Sequence, residues 1–111
     1  MHRKTPRTFK RASYIALASV RTGSTGMPVE AHVVNLGFGG VAVYTRADLA
    51  GQVEVTLFHA DGKGKTVTET IWGKLAWKRP VGSLMACGIE FGNLNPEDHP
   101  VTLSLMEAIL K

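Results

Sequence analysis

The chain of 111 residues is the size of one domain and long enough to bury a core without metal or disulfide support. With 44% hydrophobic and 20% charged residues it is not a disordered chain, and no apolar run reaches the roughly 18–20 residues of a spanning helix. A single cysteine, Cys87, excludes an intrachain disulfide and a cysteine-rich zinc site.

The net charge of +4 is unevenly placed. Arg3, Lys4, Arg7, Lys10, Arg11 and Arg21 precede the first acid, Glu30, whereas residues 30–111 carry seven basic against nine acidic residues. An excess confined to one segment points to an anionic partner: nucleotide, nucleic acid or acidic membrane surface. Residues 1–11, polar and basic with Pro6, are expected to form a flexible arm, and residues 12–111 one folded unit. The segment from Ala12 to Val20 follows the basic start as a secretory leader would. However, Ser13, Tyr14 and Ser19 interrupt it and Arg21 ends it, so a first strand and a cytoplasmic location are the better expectation.

Arg21–Pro28 reads as a loop. Val29, Ala31 and Val33 then alternate with Glu30 and His32, the period of a strand. Gly37-Phe-Gly-Gly40 breaks that strand, Val41–Thr45 starts the next, and Ala47–Gly51 connects onward. Val53, Val55 and Leu57 alternate with polar residues in a half-buried strand. Asp61-Gly62 predicts a hairpin into a long strand, in which Val67, Ile71, Leu75 and Trp77 share an apolar face and Gly73 marks a bulge or close approach. On that strand Trp77 is expected in the core and Trp72 on the opposite face. After a turn at Arg79–Ser83, Met85, Cys87, Ile89 and Phe91 form a further apolar face. A helix closes the chain: Asn95–Asp98 carries start signals, Pro100 places the first turn near His99–Val101, and Leu103, Met106 and Leu110 form its stripe. About six strands and one helix predict a small antiparallel β-barrel with a C-terminal helix.

Three motifs that imitate catalytic or nucleotide sites fail on context. Gly37–Ala42 has dinucleotide-site spacing but leads into β-favouring residues instead of a helix. Gly64-Lys-Thr66 lacks the first glycine of a phosphate loop, having His59 there. His2, His32, His59 and His99 show no metal-ligand spacing, His32 falls on a polar strand face, and Cys87 alternates with core residues. A non-enzymatic binding protein without a cofactor is expected.

Two features remain. Arg3, Arg7 and Arg11 recur every fourth residue, so on an extended chain successive guanidiniums point the same way about 13 Å apart, suiting a ligand with several acceptors across its width. Downstream lies the turn Asn35-Leu-Gly-Phe-Gly-Gly40. Together these resemble the PilZ family of bacterial cyclic di-GMP receptors, with its Arg-x-x-x-Arg arm and Asp/Asn-x-Ser-x-x-Gly turn between two barrel strands. Leu75-Ala-Trp77, Gly88-Ile-Glu-Phe91 and the terminal helix resemble the family's later elements. The resemblance implies a PilZ-like barrel that binds cyclic di-GMP through Arg7, Arg11, Asn35, Gly37 and Gly40, with Arg3 as a further contact. It also implies signalling through a protein effector.

At Gly40 the resemblance implies an unusual backbone angle and close ligand approach. Gly37 departs from the family's serine, and a lost hydroxyl contact costs about 0.5–1.5 kcal/mol. Two other readings stay open: a PilZ-like interaction module that has lost its nucleotide, and a small nucleic-acid-binding barrel. The second ranks last, because exposed strands of such barrels interleave aromatic with basic residues.

Overall fold

The computed structural model describes residues 12–23, 26–60 and 63–109. Six strands, β1 (Ala12–Thr22), β2 (Val29–Gly37), β3 (Gly40–Thr45), β4 (Gln52–Ala60), β5 (Thr66–Val81) and β6 (Leu84–Phe91), precede one helix, α1 (Pro100–Ile109). All pairings are antiparallel and close in the order β1-β2-β3-β6-β5-β4, so the predicted barrel is the observed one. Closure leaves no long free edge to pair with another chain.

Alternation sets which residues fill the barrel. Val53, Val55 and Leu57 of β4 turn inward and meet Val20, Ala31, Val33, Val43, Ile71, Cys87 and Ile89 in one core. Cys87 is fully buried, and burial pushes its thiol above the ordinary value, consistent with a packing role. His32 is exposed, as its strand period requires. Asp61-Gly62 lies outside the described residues, but Ala60 pairs with Thr66 across it. Arg21 and Thr22, expected in the following loop, instead extend β1 against Glu54 and Val53, and the Arg21 guanidinium is paired with the Glu54 carboxylate.

Two expectations for β5 fail together. Val67 and Trp77 do not join Ile71 in the core: they are 36% and 42% exposed. Val67 lies near the start of β5, and Glu69 occupies the buried position between it and Ile71. Trp77 leaves the core because β5 carries one extra residue between Leu75, which faces Ile89, and Trp77, which faces Gly88. That bulge inverts the alternation and turns Trp77 outward. The close approach at Gly73 is real, since a Cβ there would lie 2.6 Å from the Glu90 carbonyl oxygen.

Helix α1 begins where the sequence places it, and its first N–H groups are all accounted for. Pro100 has none; Val101 and Thr102 donate to the two Glu69 carboxylate oxygens at 2.8 Å each, and Leu103 donates to the His99 carbonyl. The buried stripe centres on Thr102 and Met106, with Leu103 and Leu105 half-buried beside it; Leu110 lies outside the described residues.

Candidate ligand-binding site

The outer face of the β2-β3-β6-β5 half of the barrel is built in transverse rows. One row runs Asn35, Ala42, Gly88, Trp77; the next runs Gly37, Gly40, Glu90, Lys74; a third runs His32, Tyr44, Ala86, Arg79. The middle positions of β3 and β6 are therefore mostly glycine or alanine, and larger side chains stand around them. The result is a cleft of about 460 Å³ whose lining includes Gly37, Gly40, Gly88, Glu90 and Trp77.

Each small residue in the cleft has its own cause. A Cβ on Gly40 would overlap the Ile89 backbone carbonyl of the neighbouring strand. The described residues with positive φ are Gly23, Gly51, Gly64 and Gly82, so the unusual backbone angle expected at Gly40 is absent. Close strand approach is what requires glycine there. At Gly88 a Cβ would overlap the pyrrole edge of the Trp77 indole, which lies over this residue. The Arg79 guanidinium sits 5.5 Å from the centre of the Trp77 ring, a cation–π contact that braces the wall of the cleft.

Asn35 and Gly37 reach this face together because β2 carries an extra residue between Val33 and Asn35. That shift sends Leu36 into the core and leaves Asn35 opposite Ala42, half-buried. Gly37 pairs with Gly40 across the turn, and Phe91 N–H donates to the Gly39 carbonyl at 3.0 Å, tying the turn to the end of β6. The structure thus brings Asn35, Gly37 and Gly40 onto one side of the barrel. Arg3, Arg7 and Arg11 lie outside the described residues. The strand they lead into begins with Ala12 opposite Leu36, beside the turn.

Trp77, Gly88, Ala42 and Glu90 belong to this face; Trp77 was expected first as a core residue, with base stacking as its other role, and the remaining three were not legible as a site. The available signal was Gly88: a glycine inside a strand marks close approach, and here the approaching group is the Trp77 ring. Glu90 is exposed, and among the described residues its carboxylate makes no hydrogen bond or ion pair.

A second polar cluster lies buried between barrel and helix. The Thr102 hydroxyl donates to Glu69 Oε1 at 2.7 Å and accepts from His59 Nε2 at 2.9 Å. Burial alone would raise the Glu69 carboxyl, but its bonds from Thr102 and Val101, with His59 nearby, outweigh that and hold it below the ordinary value. Burial lowers the His59 pKa, against the opposing charge of Glu69. His99 Nε2 donates to the Thr70 carbonyl at 2.7 Å and its Nδ1 accepts from Asn95 N–H. Every polar atom named here is engaged within the protein, so the cluster docks the helix. Among the described residues no group of three or more His, Cys, Asp or Glu is arranged to hold a metal ion.

Comparison with family models and with curated proteins finds no match. Among solved structures, the inhibitor of motility MotI/DgrA of Bacillus subtilis matches with a TM-score of 0.66 and 15% identity, covering 99% of this chain and 50% of that one. The fold is PilZ-like. This PilZ-like barrel spans about half the length of the Bacillus chain, and the likeness at that identity concerns architecture. No described helix is long and apolar enough to cross a membrane.

Proposed function

We propose that this PilZ-like barrel is a non-enzymatic cyclic di-GMP receptor that acts in the cytoplasm through a protein effector. The observation that carries this reading is the cleft, in which a side-chain-poor floor at Gly37 and Gly40 meets the Trp77 ring, itself seated on Gly88. A flat heterocycle needs such a floor to approach backbone closely, and an exposed indole offers a surface for stacking. In this reading Asn35 contacts a guanine edge, and Arg7 and Arg11 supply charge-assisted bonds to phosphate and guanine acceptors, with Arg3 adding a contact. Bound ligand neutralises the arm and draws it toward the turn, forming a surface for the effector.

Calorimetric titration with cyclic di-GMP, using GTP and single-stranded DNA as controls, tests the reading. Low-micromolar or weaker binding of cyclic di-GMP alone is expected, with Arg11→Ala more damaging than Arg3→Ala, because Arg3 orders more chain for its contact. Preference for DNA would replace the reading with a nucleic-acid barrel. Absence of any heat would favour an interaction module without nucleotide, which has its own support in Gly37 and in the exposure of Phe38, Trp77 and Val81.

A further inference from the structure

We propose that Glu90 reads the Watson–Crick edge of a guanine lying in the cleft, so that this residue sets base specificity; the proposal rests on the cyclic di-GMP reading. Glu90 is the one carboxylate in the three outward rows, between Gly40 and Lys74 in its own row. It lines the cleft, is exposed, and has no partner among the described residues. An unpaired carboxylate in a cleft for a dianionic ligand repels the phosphates unless it faces donors.

Guanine presents two donors side by side, N1–H and the 2-amino group, and a carboxylate presents two acceptor oxygens at matching separation. Adenine offers an acceptor at N1 and nothing at position 2, so the same carboxylate rejects it by leaving lone pairs opposed. Phosphate offers no donor at all. Glu90 therefore discriminates in a direction that arginines cannot, because arginine side chains carry only donors and read the O6 and N7 edge.

Inosine separates the two edges, since it keeps O6, N7 and N1–H and lacks only the 2-amino group. The full chain and its Glu90→Gln variant are titrated with cyclic di-GMP and with its di-inosine analogue. The expected result is that the unaltered protein prefers cyclic di-GMP by about ten-fold or more, while the variant loses most of that preference and keeps its melting temperature. Equal binding of the two ligands by the unaltered protein overturns the role of Glu90 and leaves the cyclic di-GMP reading standing. A Glu90→Gln variant weakened equally toward both also overturns it, because Glu90 then acts on the arm or the phosphates. No binding of either ligand overturns the underlying reading and Glu90 with it. Should Glu90→Gln not fold, Glu90→Asp, which shortens the reach but keeps the charge, is read the same way.

Discussion

Glu69 and Glu90 stand on adjacent strands of one barrel and have opposite environments. Glu69 is 7% exposed and accepts three hydrogen bonds from the first turn of α1, with His59 in reach through Thr102. Glu90 is exposed over glycines, without a partner among the described residues. The difference teaches how to sort polar residues in such a barrel. A buried carboxylate with both oxygens engaged holds the fold together, whereas an open one beside a side-chain-poor floor is available to a ligand.

Removing the two side chains gives the largest expected contrast. Glu69→Ala strips acceptors from Val101 N–H, Thr102 N–H and the Thr102 hydroxyl at once, and buried donors left unsatisfied cost about 1–3 kcal/mol each when water does not replace them. Partial hydration of the opened site leaves an expected loss of about 3 kcal/mol in urea unfolding. Glu90→Ala should fall within about 0.5 kcal/mol of the unaltered protein. Similar losses in both would abolish the distinction.

Two glycines of the cleft sharpen it next. Gly40→Ala drives a Cβ into the Ile89 carbonyl, so strands β3 and β6 must separate, at about 2 kcal/mol. Gly88→Ala meets the Trp77 ring first, a side chain that is already 42% exposed and can swing aside. Its stability cost should stay below about 1 kcal/mol, while ligand titration records weaker binding as the indole wall moves. Thermal melts of both variants, with and without cyclic di-GMP, check the pair.

Most of the fold was legible in the sequence because its cues are local. Alternation in β4, the glycine-rich turn and Pro100 all act within a few residues of themselves. The outward Trp77 was not legible, since an extra residue in β5 is visible only once Leu75 and Trp77 are paired to Ile89 and Gly88. The joint of His59, Glu69 and Thr102 was hidden for a similar reason. Its members lie 33 and 43 residues apart along the chain, and no periodicity marks a polar residue on an inward face as one with a partner waiting. Within the candidate site, Asn35, Gly37 and Gly40 came from motif spacing, whereas Gly88 and Glu90 required the register of β6.

Acid should break the buried joint and spare the open cleft. His59 has its pKa lowered from 6.5, so as the pH falls below that value the unfolded chain takes up a proton that the folded chain refuses. Stability is therefore fully present above about 6.5 and declines as the pH drops. Glu69, lowered from 4.5, adds a second decline below that value, because its carboxyl too is protonated first in the unfolded chain. Urea midpoints between pH 7 and pH 5 should fall for the unaltered protein and stay nearly level for His59→Gln, which keeps a donor toward Thr102 but does not titrate. An equal slope in the variant would place the acid sensitivity elsewhere.

The smallest expected effect concerns the place where this chain departs from the PilZ pattern. Gly37 ends β2 outside the left-handed region of φ, so serine is conformationally acceptable there. Its side chain would leave the sheet on the same outer face as Asn35, at the rim of the cleft, and a hydroxyl there could accept from or donate to the ligand. One neutral hydrogen bond contributes about 0.5–1.5 kcal/mol, so Gly37→Ser should tighten cyclic di-GMP binding by a few-fold to about ten-fold. Gly37 is buried at the end of β2, so a melt without ligand checks that the serine is accommodated. An unchanged dissociation constant in a folded variant would mean that the ligand does not reach this end of the cleft, and that Gly40 and the Trp77 ring bind it without the turn.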